Sequence, residues 1–286
     1  MEVMAPVTLD LETMRRVVET EGGCVAWGGT VRLSPADDVL IRVERPLDFD
    51  SNGQLVASVL SKKAAAGATH VLIDIPIGPT AKVRSPSAAD ALESLLVATG
   101  DGLGLTVRVL RTDGSQPVGF GIGPSLEARD VLAVLRREPE APQDLRERAI
   151  AIAGALLDLA PGAIAAEGVP KARALLDSGA AWTKFHAICT AQGGFREPTL
   201  APHRAPFLAM QGGRIRSVDN RRLAKVAKLA GAPASPTAGV DFRHRLGGII
   251  HPGDVLFDVH AESSGALEYA LNFAATHDIV TLEPAP

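Results

Sequence analysis

Aromatic side chains are scarce. One tyrosine, two tryptophans and eight phenylalanines make up 4% of the 286 residues. A chain so poor in rings offers no row of stacking platforms for single-stranded nucleic acid. There is no basic excess either: 29 Lys and Arg stand against 33 Asp and Glu, a formal net charge of −4. Neither nucleic acid nor a membrane surface is therefore an expected partner. Cysteine is almost missing, and Cys24 and Cys189 form no CxxC pair and no disulfide framework, which suits a reducing compartment. No apolar run reaches the roughly 18 residues needed to cross a bilayer. The opening "MEVMAPVTLDLETMRR" is acidic early and lacks the basic-then-apolar order of a signal peptide. The cytoplasm is the expected location.

What remains is a composition of 46% hydrophobic and 22% charged residues, suited to a compact protein with a sizeable core. "LDLETMRRVVETEGG" reads as a helix ended by Gly22. A second helix is expected near "SNGQLVASVLSKKAAAG", with Asp50 or Ser51 as cap and Gly67 at its end. The period then changes. "THVLIDIPI" is a continuous β-branched run, as in a strand buried on both faces. A helix with Ser85 as cap and Pro86 in its first turn follows, then the strand "LTVRVLRTD" and the helix "GPSLEARDVLAVLRRE". Strand, helix, strand, helix implies a parallel sheet with right-handed crossovers. Residues 144–192 read as helical, and the proline-rich "FREPTLAPHRAP" marks a boundary. Beyond it come a hairpin-like "PFLAMQGGRIRSVD", a helix capped by Asp219, two or three short strands, a last helix and a last strand. The expected fold class is α/β: a small helical lobe portion over 1–66, a central parallel-sheet α/β domain over 67–200, and a C-terminal α+β module over 201–286.

Several motifs invite chemistry and most have an ordinary explanation. Gly119, Gly121 and Gly123 read GxGxG, not the GxGxxG of a dinucleotide cradle, and no GKS or GKT follows. A tight loop before a helix explains them. Glu127 and Asp130 lie i, i+3 in the first turns of that helix, where acids complement its dipole. His244, His251 and His260 show no metal-ligand spacing and read as surface histidines. No GxSxG is present, so covalent hydrolase chemistry has no support. The exception is "ASVLSKKAAAG". Ser58 and Lys62 are spaced i, i+4, one turn apart on a single helix face beside apolar Leu55 and Val59. Lys63 lies about 100° round the helix, so only one of the two lysines can face a cleft.

The stretch "LSPADDVLIRVERPLDFDSNGQLVASVLSKKAAAGATHVLIDIPIGPTAKV" combines "PADD", an arginine soon after, "SxLSKKxAAG" and "DIPxGPxAK". With "TDGSQPVGFGIGPSLEARDVL" and the C-terminal module, the chain resembles the thymidine and pyrimidine-nucleoside phosphorylase family over nearly its whole length. It is most similar to the branch that also holds archaeal AMP phosphorylases. The resemblance implies phosphate-dependent cleavage of the N-glycosidic bond of a pyrimidine nucleoside, giving free base and a sugar 1-phosphate. It implies inorganic phosphate as co-substrate, no organic cofactor, and a homodimer. By motif, the base-binding arginine, serine and lysine fall on Arg45, Ser58 and Lys62, with Arg42 competing for the first place. A tyrosine found a turn earlier in many bacterial members is replaced here by Ile41 or Arg42. Some members hold a monovalent cation through loop carbonyls and an acid, and the matching positions are Val118, Gly121 and Asp130.

The family's phosphate loop, of the type KxSxGGxGD, does not occur in these residues. The resemblance places the chain as a C-terminal portion of a longer phosphorylase, with base-binding residues and no phosphate-binding residues of its own. Two rival expectations stand: a nucleoside-monophosphate phosphorylase of the AMP type, and a catalytically inert fragment acting only in assembly. A dinucleotide-binding oxidoreductase is a weaker third, against which the glycine spacing speaks.

Overall fold

The computed structural model describes residues 1–31 and 52–284. Helix α1 spans Leu11–Glu21; the Asp10 carboxylate accepts from the Thr13 N–H, and Gly22 ends it at φ 78°. A short α2 covers Gly28–Val31. Gln192 ties this N-terminal stretch to a distant helix. Its Oε1 accepts from the Val25 N–H, and its Nε2 donates to the carbonyls of Pro6 and Val25.

The first unit with a core of its own begins at α3, Asn52–Ala65. The expected caps of that helix, Asp50 and Ser51, lie outside the described residues. Strand β1, His70–Ile77, helix α4, Pro86–Gly102, and strand β2, Thr106–Asp113, follow. Ser85 caps α4 by accepting from the Ala88 N–H, with Pro86 at the start, as the sequence indicated. The two strands are parallel, in register from His70 opposite Thr106 to Ile77 opposite Asp113. Val56 and Leu60 of α3 pack with Val71, Ile75, Ala89, Leu92, Leu96 and Leu105. Strand β1 is not buried on both faces as its composition suggested: only Val71 and Ile75 are fully buried. They share one face, four residues apart. Among the described residues the sheet has only these two strands, too narrow to bury the other side.

Strand β3, Gly121–Ile122, leads into α5, Pro124–Arg136, then α6, Gln143–Leu159, α7, Gly168–Asp177, and α8, Ala180–Ala191. Helix α6 packs against β1. The C-terminal part contains β4, His203–Leu208, β5, Gly213–Val218, α9, Asn220–Leu229, β6, Gly239–Asp241, β7, Ile249–Ile250, β8, Val255–Ala261, α10, Ser264–Ala275, and β9, Val280–Glu283. Its largest buried side chains include Phe242, Phe257, Ile215 and Leu223. The sheets run β3-β6-β8-β4 and β7-β5-β9. The expected hairpin of β4 with β5 is therefore corrected: each joins a different sheet. Phe207 of β4 stacks on Phe257 of β8 with centroids 4.9 Å apart, and Arg204 pairs with Asp258 at 2.6 Å. Those contacts draw β4 to β8. The α/β class stands.

One surface histidine is also corrected. His260, on β8, is 3% exposed, and neither ring nitrogen has a hydrogen-bond partner. Burial lowers its pKa from the ordinary 6.5, helped by Arg204, while Asp241 and Asp258 oppose the shift and Arg129 adds to it. A depressed histidine is neutral when folded and gains a proton on unfolding. Its contribution is present above pH 6.5 and is lost as the pH falls through the folded value. Urea midpoints of the wild type should thus decline between pH 7 and pH 5 more steeply than those of His260→Leu; parallel declines would contradict this.

Candidate active site

Helix α3 sorts its residues by face. Val56 and Leu60 point into the core. Leu55, Ser58, Val59 and Lys62, spaced i, i+3, i+4 and i+7, form one stripe. Leu55 and Val59 of that stripe line a cavity of about 520 Å³. Ser58 and Lys62 are half-buried on the same stripe, while Lys63 is exposed. Ser58 and Lys62 share the helix face of Leu55 and Val59 but are not themselves among the residues that line the cavity. Arg45 lies outside the described residues, as do Arg42 and Ile41.

The cavity sits at the C-terminal ends of β1 and β2, where ligands of parallel α/β sheets bind because the strand ends and the following loops form a crevice. Ile75, Leu92 and Leu96 line its inner part. Its rim is polar and comes from the two loops after the strands and from α6: Thr80, Lys82, Gln116 and Arg148. Asp74 belongs to the wall, and its Oδ1 accepts from Thr112 Oγ1 at 2.7 Å. Arg148 donates to the carbonyl of Asp113. The loops abut closely. Gly114 N–H donates to Ile77 O at 2.8 Å, and a Cβ on Gly78 would lie 2.3 Å from the Gly114 carbonyl.

Lys82 and Arg148 were not singled out from sequence. Lys82 had a signal, its place in the loop directly after a parallel strand. Arg148 had none, since it comes from a helix far along the chain.

Two acids of α5 hold the glycine loop through its backbone amides. Asp130 is 8% exposed, and its Oδ2 accepts from the Phe120 N–H at 2.6 Å and the Gly121 N–H at 2.7 Å. Burial raises its pKa above the ordinary carboxylate value, and the amides of Gly121 and Phe120 pull it back. Glu127 Oε1 accepts from the Gly123 N–H at 2.9 Å. Val118 lines the cavity described above, whereas Asp130 lines a separate polar hollow with Arg129 and Arg243. Among the described residues no cluster of three or more His, Cys, Asp or Glu side chains could hold a metal ion. No described helix is long and apolar enough to cross a membrane.

Comparison with curated proteins gives close relatives. A protein of Hahella chejuensis (strain KCTC 2396) is 61% identical over 277 residues, covering 97% of this chain and 55% of that protein. One from Acidovorax sp. (strain JS42) is 59% identical over 276 residues, 96% of this chain and 54% of the relative. One from Parvibaculum lavamentivorans (strain DS-1 / DSM 13023 / NCIMB 13966) is 56% identical over 285 residues, 99% and 56%. Each bears the name "Putative thymidine phosphorylase", the Acidovorax protein with the numeral 1. The chain belongs to the thymidine phosphorylase family. It spans about half the length of the curated relatives it matches. No family model matches it. Within that family, the cavity at the ends of β1 and β2 is the candidate active site.

Proposed function

We propose that this chain carries the base-binding half of a pyrimidine-nucleoside phosphorylase, with thymidine as the favoured substrate and inorganic phosphate as co-substrate. The observation that supports the reading is the α3 stripe, on which half-buried Ser58 and Lys62 share a helix face with Leu55 and Val59, two residues that line the cavity at the C-terminal ends of the parallel strands. As the N-glycosidic bond breaks, negative charge grows on the departing base. Donors aimed at the base oxygens stabilise that anion more than the neutral substrate, which lowers the barrier. Lys62 supplies a point charge and Arg45 a planar fork. Ser58 hydrogen-bonds an edge nitrogen or carbonyl. A monovalent cation at Val118, Gly121 and Asp130, assembly as a homodimer and a cytoplasmic location are parts of the same proposal.

A second reading is favoured by the two cations on the cavity rim, Lys82 and Arg148. A nucleoside 5′-monophosphate would give them an anion to meet. Competition between thymidine and CMP or AMP for the cavity separates the two.

The test of the first reading is thymine affinity measured by calorimetry. Lys62→Ala should weaken binding roughly 10- to 100-fold, the usual worth of a charged hydrogen bond, while Lys63→Ala leaves it unchanged. Equal affinity in Lys62→Ala and the wild type refutes the assignment.

A further inference from the structure

The first turn of α9, in the C-terminal part of the chain, reaches the cavity rim. Asn220 donates its backbone N–H to Thr80 Oγ1 at 3.3 Å and its side-chain Nδ2 to the Gly114 carbonyl at 3.0 Å. Arg221 Nε donates to the Thr80 carbonyl at 3.1 Å. One residue thereby holds both loops of the cavity mouth. The first loop carries Thr80 and Lys82, the second Gly114 and Gln116, and Asn220 itself lines the same cavity. A second tie comes from further along the C-terminal part, where the Leu246 N–H donates to Gln116 Oε1 at 2.8 Å.

Helix capping does not account for Asn220. The cap of α9 is Asp219, which accepts from the N–H groups of Arg221 and Arg222. The Asn220 side chain also leaves its own Oδ1 buried without a partner. A buried amide oxygen without a donor is unfavourable, so the side chain is held there for what its Nδ2 does. That group reaches across to a loop more than 100 residues earlier in the chain.

We propose that Asn220 is a positioning residue. Through it the C-terminal module fixes the spacing of the loops after β1 and β2, and so sets the shape of the cavity mouth that carries Thr80, Lys82 and Gln116. The effect on the ligand rests on the function proposed above; the effect on the loops does not.

Asn220→Asp tests this on the whole 286-residue chain. The replacement keeps the volume, removes the Nδ2 donor and sets a carboxylate oxygen against the Gly114 carbonyl. An acid at the first helical position is favoured by the helix dipole, so α9 should stay intact. Amide hydrogen exchange from Gly78 to Val83 and from Gly114 to Gln116 should speed up about tenfold or more, with α9 unchanged. Thymine, the probe ligand, should bind about tenfold more weakly. Thr80→Val, which removes the hydroxyl acceptor, should move both readouts the same way, and Thr80→Ser should behave as the wild type. Unchanged exchange in both loops of Asn220→Asp and Thr80→Val overturns the proposal. Loosened loops with wild-type thymine affinity overturn the positioning of the ligand. Loosened loops in a chain whose wild type does not bind thymine support the clamp and refute the assigned function instead.

Discussion

Gly78→Ala is expected to lower unfolding stability by about 3 kcal/mol, the upper range for forcing an atom into a filled site. A Cβ at this position would stand 2.3 Å from both the carbonyl carbon and oxygen of Gly114 and 2.6 Å from the Ser115 nitrogen. All three are backbone atoms, so no side chain can rotate away. The loops after β1 and β2 must separate. Their contacts include the Gly114 N–H donated to Ile77 O at 2.8 Å and the Gly78 N–H donated to Val83 O at 3.1 Å. Both sit at the cavity mouth, so thymine binding should weaken together with stability. Urea unfolding read by circular dichroism measures the loss. A midpoint within error of the wild type would mean that the loops are looser than described.

The second large effect falls on α3. Leu60 is 0% exposed and packs with Val71, Ile75, Ala89, Leu92 and Leu96. Leu60→Ala removes buried methyl groups and leaves a cavity, a change that costs about 2–5 kcal/mol. The site is also affected, because Ser58 and Lys62 are carried on the opposite edge of the same helix turn. Loss of the core contact frees α3 to shift, and an ångström of misplacement is enough to weaken a positioned contact. Lys63→Ala, on the exposed side, should stay within about 0.5 kcal/mol of the wild type. Equal destabilisation by the two variants would contradict the assignment of faces.

Much of this was legible in the residues themselves. Ser85 followed by proline marked a helix start, and Asp219 marked another. Both caps accept the expected backbone N–H groups. Gly22 and Gly67 adopt the positive φ that helix ends require. The strand, helix, strand, helix order implied the parallel pairing that β1 and β2 adopt. What escaped depends on partners far along the chain. β4 and β5 look like a hairpin because they are adjacent, yet β4 pairs with β8 and β5 with β7 and β9. His260 looked like one more polar residue, but it lies in β8 between Arg204 of β4 and Gly239 of β6 and is buried.

The site divides the same way. Ser58 and Lys62 are local, four residues apart, and their shared face could be read from spacing alone. The cavity beside them is not local. It needs Thr80 and Lys82 from one loop, Gln116 from another, Arg148 from α6 and Asn220 from α9. No periodicity links these positions. They meet because two parallel strands end together and the C-terminal part packs against the loops that follow.

The most direct measurement is a thymine titration of the isotopically labelled chain, followed by amide chemical shifts. The account predicts that the largest changes fall on the α3 stripe from Leu55 to Lys62 and on the loops from Gly78 to Val83 and Gly114 to Val118. Shifts confined to the hollow near Asp130 and Arg243, or no shifts at thymine concentrations in the millimolar range, would contradict it.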